Sequence, residues 1–286
     1  MNKIFDTLRS LGLTSLKTRE LFSSHTRDNK SLKVWKDKVS GVIYIEDFVT
    51  PFEDFKSGEY RNGSNKGTYE SERDLNRRLQ DHEELYLDSV VCDFGCGSGD
   101  FIRKAALKAS KVAAVELQEN HFKSLNLQGI SCKKSILEHE ILFDTVFAFH
   151  SLEHLGDPLK YLEEIKSKIK SKGKILIEVP HANDFLLSLG FLEEFKDFTL
   201  WSSHLVLYTE EALQKILEKA GFKDILIHGI QRYPLSNHLY WLHKKKPGGH
   251  KKEFSLIDSK SLHYEYEKVL SKINQTDTLI ASATVK

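Results

Sequence analysis

Apolar residues follow two periods along residues 88–180 of the chain. Short apolar runs that suit buried strands recur there, at residues 90–94, 111–117, 130–136, 143–149 and 173–180. Helical patterns with one apolar face separate these runs, and Asp157 with Pro158 predicts the start of one such helix. Strands that alternate with helices build a parallel sheet covered on both faces. The pattern therefore predicts a doubly wound α/β fold.

The pattern changes after residue 180. A helix that opens at Thr209 and closes at Gly221 leads to a sixth strand at residues 224–230, and the last strand is predicted at residues 278–285. Residues 231–276 separate these two strands, which is far longer than a hairpin loop. We interpret them as an inserted segment.

The residues before the sheet predict a small separate module. Residues 1–22 carry a loosely helical apolar face, and residues 32–45 predict two short strands around a turn. The glycine-rich residues 58–67 are either a lid or a linker, and residues 69–86 predict a helix leading into the sheet. We predict an N-terminal module with its lid or linker at residues 1–80, and a main domain at 81–286.

Composition narrows the class of protein. The 286 residues carry a net charge of +1, with 40% hydrophobic and 29% charged residues, which is typical of a soluble globular protein. This charge gives no reason to expect a nucleic-acid or membrane partner. No apolar run approaches the length of a membrane span, and the charges of Lys3, Asp6 and Arg9 argue against a signal peptide. Three cysteines without metal-type spacing suit a reducing compartment, so we expect a cytoplasmic protein.

A glycine-rich turn follows the first buried strand. Gly95, Gly97 and Gly99 alternate directly before a helical pattern. Glycine tolerates positive φ and has no Cβ, so a ligand can lie on the backbone of such a turn. The start of the following helix adds free N–H groups. Strand, turn and helix together predict a cradle for a nucleotide-type ligand, with a ligand-free glycine turn as the alternative.

The second strand ends in Glu116, within the interval where doubly wound folds place a carboxylate on ribose hydroxyls. The dinucleotide fingerprint requires a third glycine where this chain has Asp100. Gly-x-Gly-x-Gly preceded by Asp93 instead resembles motif I of the class I S-adenosylmethionine (SAM)-dependent methyltransferases. The resemblance covers residues 88–230 well.

This resemblance implies a Rossmann-like seven-stranded methyltransferase sheet, with SAM as cofactor and S-adenosylhomocysteine as product. In the family the glycines contact the amino-acid part of SAM, and the acid that ends the second strand binds the ribose. An acid that bonds the adenine amine is often found where this chain has Ser135 and Ile136. The residues implied in cofactor binding are Asp93, Gly95, Cys96, Gly97, Gly99, Glu116, Leu117, Ser135, Ile136, Phe149 and His150.

Residues 150–154 read His-Ser-Leu-Glu-His, which matches an inverted zinc-protease pattern. That pattern needs a helix, whereas these residues end a predicted strand, where they resemble motif IV of the methyltransferases. Ubiquinone-type O-methyltransferases carry Glu-x-x-Glu-His here and hold a divalent cation, but His150 replaces their first Glu. We therefore predict no metal site and expect Glu153 and His154 to bond the backbone.

Two histidines are candidate catalytic bases. Methyl transfer to a hydroxyl needs alignment and a proton acceptor, which is most often His. His181 follows the fifth strand, and His204 precedes a helix, as in sugar methyltransferases that carry Tyr-x-Glu-His. Trp201 and Ser203 replace the Tyr and Glu of that motif, which weakens the case for C-methylation and leaves O-methylation open. A structural histidine is the alternative for His204.

The inserted segment mixes rings with polar groups, a composition that suits a polyhydroxylated ligand because rings pack on sugar faces. The residues predicted to bind the acceptor are Trp201, Arg232, Tyr233, Asn237, His238 and Trp241. An amphipathic helix packed on the core would have a similar composition. The lysines of residues 244–252 suit a diphosphate, a nucleic-acid backbone or a solvated loop.

The sequence thus predicts a SAM-dependent methyltransferase that O-methylates or C-methylates a sugar or nucleotide-linked sugar in polysaccharide or natural-product synthesis. We expect a small-molecule, carbohydrate partner rather than a membrane or a nucleic acid. One alternative is O-methylation of a phenolic or quinone-type molecule. Another is a non-catalytic SAM-binding or nucleic-acid-binding subunit.

Overall fold

The computed structural model describes residues 2–48 and 69–286. The predicted lid or linker at residues 58–67 lies outside the described residues. Within them, the strands are β1 Arg19–Ser23, β2 Val34–Asp37, β3 Ile43–Tyr44, β4 Val90–Phe94, β5 Lys111–Val115, β6 Ser131–Lys133, β7 Phe143–Phe149, β8 Ile169–Pro180, β9 Val206–Leu207, β10 Lys223–Ile230 and β11 Thr278–Thr284.

These strands form two sheets. The larger is a mixed sheet of seven strands in the order β10-β11-β8-β7-β4-β5-β6, and the smaller has the order β1-β2-β3-β9. The pairs β4–β5, β4–β7, β5–β6 and β7–β8 are parallel. The order reverses between β4 and β7, because β5 and β6 follow β4 on one side and β8 follows β7 on the other, as expected of a doubly wound sheet. The predicted seven-stranded α/β fold is confirmed.

Helices connect the strands. The described α-helices are α1 Ile4–Ser10, α2 Tyr69–Asp81, α3 Glu83–Tyr86, α4 Asp100–Ala105, α5 Glu119–Leu127, α6 Pro158–Ser167, α7 Phe185–Ser188, α8 Glu193–Thr199, α9 Glu210–Ala220, α10 Leu235–Lys244 and α11 Lys260–Lys272. Asp157 caps α6 by accepting a hydrogen bond from Lys160 N at 3.5 Å, as predicted. In the described part of the chain, no helix is both long and apolar enough to span a bilayer.

Three predicted elements differ from the observed ones. The helix predicted at residues 69–86 is interrupted at His82, which separates α2 from α3. The third strand ends at Lys133, because Ser135 Oγ accepts Leu137 N at 3.3 Å and starts a 3-10 turn. The fifth strand starts at Ile169, earlier than predicted. These differences leave the strand order unchanged.

The described chain divides into two compact units. One contains residues 2–48, 179–213 and 227–280, and the other contains residues 69–178, 214–226 and 281–286. We call them the first and second units. The predicted domain division at residue 80 stays a prediction.

The first unit contains the small sheet. β2 and β3 pair in antiparallel fashion across the turn after Asp37, and β3 also pairs with β9. Asp37 Oδ1 accepts the Val39 and Ser40 N–H groups, which holds this turn closed. The N-terminal residues therefore share a sheet with residues 206–207.

The second unit contains β4 to β7 and most of β8. The middle of these strands is inaccessible to solvent, as at Val91, Ala113, Val146 and Ile175, each at 0% exposure. Parallel strands that are covered on both faces give such continuous apolar runs. The sheet therefore supplies a rigid base for the polar groups at its carboxyl ends.

Candidate functional site

The glycine turn lies at the carboxyl end of β4. Gly95, Gly97 and Gly99 have φ of +73°, +57° and +79°, a region that favours glycine. A Cβ on Gly95 would lie 2.3 Å from Ser151 Oγ, and one on Gly99 would lie 2.5 Å from Leu125 Cδ2. At these two positions both the backbone conformation and the close neighbour require glycine.

Glu116 fixes the middle of this turn. Its carboxylate is 7% exposed and accepts Gly97 N at 2.6 Å and Gln118 N at 2.7 Å, one donor on each oxygen. A carboxylate has about four acceptor positions. Glu116 thus holds the turn and keeps capacity for two further donors, as a pair of ribose hydroxyls requires.

Asp93 lies inside β4, next to the turn, and is 3% exposed. Burial raises the pKa of its carboxyl to about 7; the charge of Arg78 opposes this shift, and that of Glu116 adds to it. A carboxyl group with this pKa is partly protonated at neutral pH, so Asp93 can donate a hydrogen bond as well as accept one.

The remaining predicted cofactor residues are also in the second unit. Ser135 caps the 3-10 turn, and Ile136 is fully buried in it. Phe149 is the last residue of β7, and the Arg78 guanidinium carbon lies 4.3 Å from the centre of the Phe149 ring. His150 follows with a φ of +49°, and its Nδ1 lies 3.3 Å from Glu153 Oε1. The Leu117 carbonyl accepts Lys134 Nζ at 2.8 Å.

A buried ion-pair cluster was missed by the sequence analysis. Glu178, near the carboxyl end of β8, is 0% exposed and accepts hydrogen bonds from Arg77 and Arg78 of α2 at 2.7–3.0 Å. Burial alone would raise the pKa of Glu178, but the two guanidinium groups lower it to about 2. Glu178 is therefore a carboxylate at neutral pH. The signal in the sequence for this cluster was an acid within the apolar run of residues 175–179.

Two histidines border this cluster. His82 Nε2 and His150 Nε2 each lie 4.0 Å from a Glu178 oxygen. The charge of Arg78 also opposes the raised pKa of Asp93, the β4 residue next to the glycine turn. The cluster therefore fixes α2 beside the polar carboxyl ends of β4, β7 and β8.

His181, a predicted base, belongs to the first unit and directly follows β8. Its Nδ1 lies 2.9 Å from the Thr276 carbonyl, which can only accept, so Nδ1 carries the proton. Among the described residues, its buried Nε2 has no hydrogen-bond partner. Burial lowers the pKa of His181 to about 4, against a smaller raising effect of the Thr276 bond. His181 therefore presents a neutral imidazole with a lone pair on Nε2.

His204, the other predicted base, is half-buried in the first unit. Its backbone N–H donates to the Trp201 carbonyl at 3.1 Å, and the two rings stack with centres 6.4 Å apart. Arg27 lies 4.9 Å from the Trp201 ring centre. Asp28 accepts Ser202 N and Ser202 Oγ at 2.9 and 2.6 Å. These contacts fix the loop that carries His204.

The predicted acceptor residues of α10 are buried in the first unit. Trp241 packs against Phe195 and Phe198, each with ring centres 5.1 Å away. Asn237 Oδ1 accepts Gly248 N at 3.0 Å, and His238 Nδ1 lies 2.7 Å from the Tyr266 hydroxyl. Such contacts are typical of an amphipathic helix packed on a core. Acceptor binding by these three residues stays a prediction.

Arg232 and Tyr233 are half-buried. Their backbone N–H groups donate to the Asp277 carboxylate at 3.0–3.1 Å, and the Arg232 guanidinium lies 5.7 Å from the Tyr233 ring centre. Their side chains are thus more accessible to a ligand than those of α10.

Comparison with known proteins decides the family. The model of a family described as "Methyltransferase domain" matches residues 69–227, more than half of the chain. The chain belongs to this methyltransferase family. It is an enzyme that uses SAM.

Individual relatives are distant. The methyltransferase is 24% identical over 172 residues to a ubiquinone biosynthesis O-methyltransferase of Idiomarina loihiensis, covering 55% of this chain and 71% of the relative. It is 26% identical over 164 residues to a tRNA U34 carboxymethyltransferase of Trichodesmium erythraeum, covering 52% of this chain and 48% of the relative. A SAM-dependent methyltransferase structure from Archaeoglobus fulgidus has 22% identity and a TM-score of 0.51, covering 74% of this chain and 94% of that chain. This structural likeness shows the shared fold.

The residues of the glycine turn fit SAM. Glu116 is a fixed carboxylate with acceptor capacity for ribose hydroxyls, and the turn lacks side chains at Gly95, Gly97 and Gly99. These residues of the methyltransferase, with Asp93, would hold the cofactor. Bound SAM supplies a methyl group that its sulfonium already activates.

Proposed function

We propose that this methyltransferase methylates an oxygen of a small-molecule acceptor, and that a sugar or nucleotide-linked sugar is the first candidate. The observation that carries the proposal is His181, a buried neutral imidazole whose Nε2 has no hydrogen-bond partner among the described residues. A hydroxyl oxygen must lose its proton when it gains a methyl group. An imidazole on that hydroxyl would take the proton.

The low pKa of His181 is compatible with this role. A hydroxyl oxygen becomes strongly acidic as the new bond to carbon forms, so a weak base is sufficient to accept its proton. An imidazole with a pKa of about 4 is unprotonated throughout the neutral range and is therefore always ready to accept. His204 is the second candidate base.

Substitution of each histidine tests the assignment. If His181 is the base, His181→Ala should lower turnover about 100-fold while affinity for S-adenosylhomocysteine is kept. The matched variant His204→Ala should then retain near-normal turnover. The reverse pattern would assign the base to His204, and normal turnover in both variants would contradict a histidine base.

The carbohydrate acceptor is supported by the resemblance of the His204 stretch to sugar methyltransferases and by the half-buried Arg232 and Tyr233. Reaction with methyl-labelled SAM and a panel of nucleotide sugars tests it, with mass spectrometry of the products. A methylated nucleotide sugar is the expected result. Labelling of no sugar in the panel would count against this acceptor class.

A second candidate is O-methylation of a phenolic molecule. It is favoured by the relative named ubiquinone biosynthesis O-methyltransferase, of which the chain covers 71%. Catechols in the same panel distinguish the two candidates, since methylated catechol with unmodified sugars would favour the phenolic acceptor. A chelator that abolishes this activity would further favour it and would contradict the prediction of no metal.

A further inference from the structure

The loop between β1 and β2 is bonded to the loop that carries His204, and both loops belong to the first unit. Arg27 N donates to the Leu200 carbonyl at 2.7 Å. The Asp28 carboxylate accepts Ser202 N at 2.9 Å and Ser202 Oγ at 2.6 Å. These bonds fix the backbone of Arg27 beside the residues that precede His204.

The Arg27 guanidinium contacts two aromatic rings. Its carbon lies 4.6 Å from the centre of the Phe198 ring and 4.9 Å from the centre of the Trp201 ring. Phe198 packs in turn on Trp241, which is 2% exposed. A guanidinium over aromatic rings is held by cation–π attraction, while its N–H donors stay in the plane of the group. The rings therefore hold the Arg27 side chain in place without using its donors.

The donors of this guanidinium are accessible. Arg27 is exposed, and in the described part of the chain its guanidinium forms no hydrogen bond or ion pair. The two nearest acids in the sequence of these loops bond other groups, because Asp28 accepts from Ser202 and Asp197 Oδ1 lies 3.1 Å from His25 Nε2. A guanidinium presents five donors in one plane, which match two oxygens of a carboxylate or a phosphate.

We propose that Arg27 binds an oxyanion group, a phosphate or a carboxylate, of the acceptor. The inference rests on the proposed function and narrows its acceptor to anionic small molecules. Trp201, a predicted acceptor residue, connects this group with a candidate base, since its ring centre lies 4.9 Å from the Arg27 guanidinium and 6.4 Å from the His204 ring centre. A nucleotide-linked sugar carries such a group in its diphosphate, and a sugar acid carries one in its carboxylate.

The charges around Arg27 favour a small anion over a polyanion. Asp28 follows Arg27 in the chain, and Asp197 precedes Phe198. A nucleic acid would bring several phosphates close to these carboxylates, and like charges repel. A small acceptor with one oxyanion group needs only the donor edge of Arg27.

Calorimetric titration of the full-length protein, saturated with S-adenosylhomocysteine, tests the proposal without turnover. The probes are uridine diphosphate, galacturonate and the neutral sugar galactose. We expect an anionic probe to bind more tightly than galactose, and Arg27→Gln should weaken its binding at least about tenfold. Arg27→Lys keeps the charge but lacks the planar pair of donors, so it should weaken binding about threefold. Lys30→Gln, which removes an exposed cation of the same loop, is the matched control and should bind as the wild type does.

The two anionic probes distinguish the source of the oxyanion. Tighter binding of uridine diphosphate would assign a phosphate, and tighter binding of galacturonate would assign a carboxylate. The proposal is overturned if neither anion binds more tightly than galactose, if Arg27→Gln leaves their affinities unchanged, or if Lys30→Gln weakens them equally. Affinity for S-adenosylhomocysteine shows that each variant is folded, and Arg27→Lys decides if Arg27→Gln is not.

Failure of this inference and failure of the proposed function give different results. Anion binding that depends on Arg27, in a protein that methylates none of the acceptors offered, would support the oxyanion site and contradict the proposed function. Methylation of an anionic acceptor whose KM is the same in the wild type and in Arg27→Gln would support the proposed function and overturn the oxyanion site.

Discussion

Replacement of Glu178 by Gln is the most informative perturbation of the second unit. The carboxylate is fully buried and accepts hydrogen bonds from both Arg77 and Arg78. The amide of Gln is neutral and turns an NH2 group towards one of these donors. Two partly buried guanidinium groups would then lack their counter-charge, and breaking a buried ion pair typically costs about 3–5 kcal/mol.

The pKa of Glu178 gives an independent magnitude. A shift from an ordinary value of 4.5 to about 2 corresponds to about 3 kcal/mol of unfolding free energy at neutral pH. Because the folded-state pKa is lowered, this contribution is fully present above the unfolded-state pKa. It is lost as the pH falls towards the folded-state value, that is, between about pH 4.5 and pH 2.

Urea unfolding at pH 7 and at pH 3.5 measures both the stability lost on substitution and the dependence of that loss on pH. Glu178→Gln should be about 3 kcal/mol less stable than the wild type at pH 7, and the difference should shrink by about 1 kcal/mol at pH 3.5. Glu163→Gln, at an exposed position of α6, is the matched control and should change stability by less than about 0.5 kcal/mol. A Glu178 variant as stable as this control, or a pH-independent difference, would refute the reasoning.

Three further substitutions test other parts of the structure. Gly95→Ala should lower the free energy of unfolding more than Gly129→Ala in urea unfolding. Both glycines have positive φ, but only a Cβ at Gly95 would meet a neighbour. Equal losses would contradict the close approach of Ser151. Glu116→Ala should weaken S-adenosylhomocysteine binding by about 1.5–3 kcal/mol in calorimetry, and unchanged affinity would remove Glu116 from the site. Burial, with the nearby Asp277 charge, raises the pKa of Asp184 to about 8, so its stabilising contribution is full below about pH 4 and is lost as the pH rises to 8. Asp184→Asn should therefore gain stability relative to the wild type between pH 5 and pH 8.5, and a constant difference over that range would show an ordinary pKa.

Local signals explain what the sequence predicted well. The strand at Phe143–Phe149 and the cap at Asp157 depend on adjacent residues, and both are observed as predicted. The positive φ angles of Gly95, Gly97 and Gly99 are equally local, because only glycine adopts them readily. The third strand was predicted too long because its apolar pattern continues beyond Ser135, whose side chain starts a turn.

Contacts between residues that are far apart in the sequence account for the features that the sequence analysis missed. Arg77 and Glu178 are separated by 101 positions, so no periodicity relates them. The burial of Trp241 is a further case, since an aromatic ring has the same sequence signal whether it faces a sugar or packs on Phe195. Tertiary packing distinguishes these roles, and the pattern of residues in one sequence does not predict that packing.

Calorimetric titration with S-adenosylhomocysteine, followed by nucleotide sugars on the loaded protein, tests the central claim most directly. The account predicts that S-adenosylhomocysteine binds with one site per chain, that Glu116→Ala weakens this binding, and that a nucleotide sugar then binds to the loaded protein. Absence of S-adenosylhomocysteine binding to correctly folded, reduced protein would contradict the assignment of the glycine turn and Glu116 as the cofactor site.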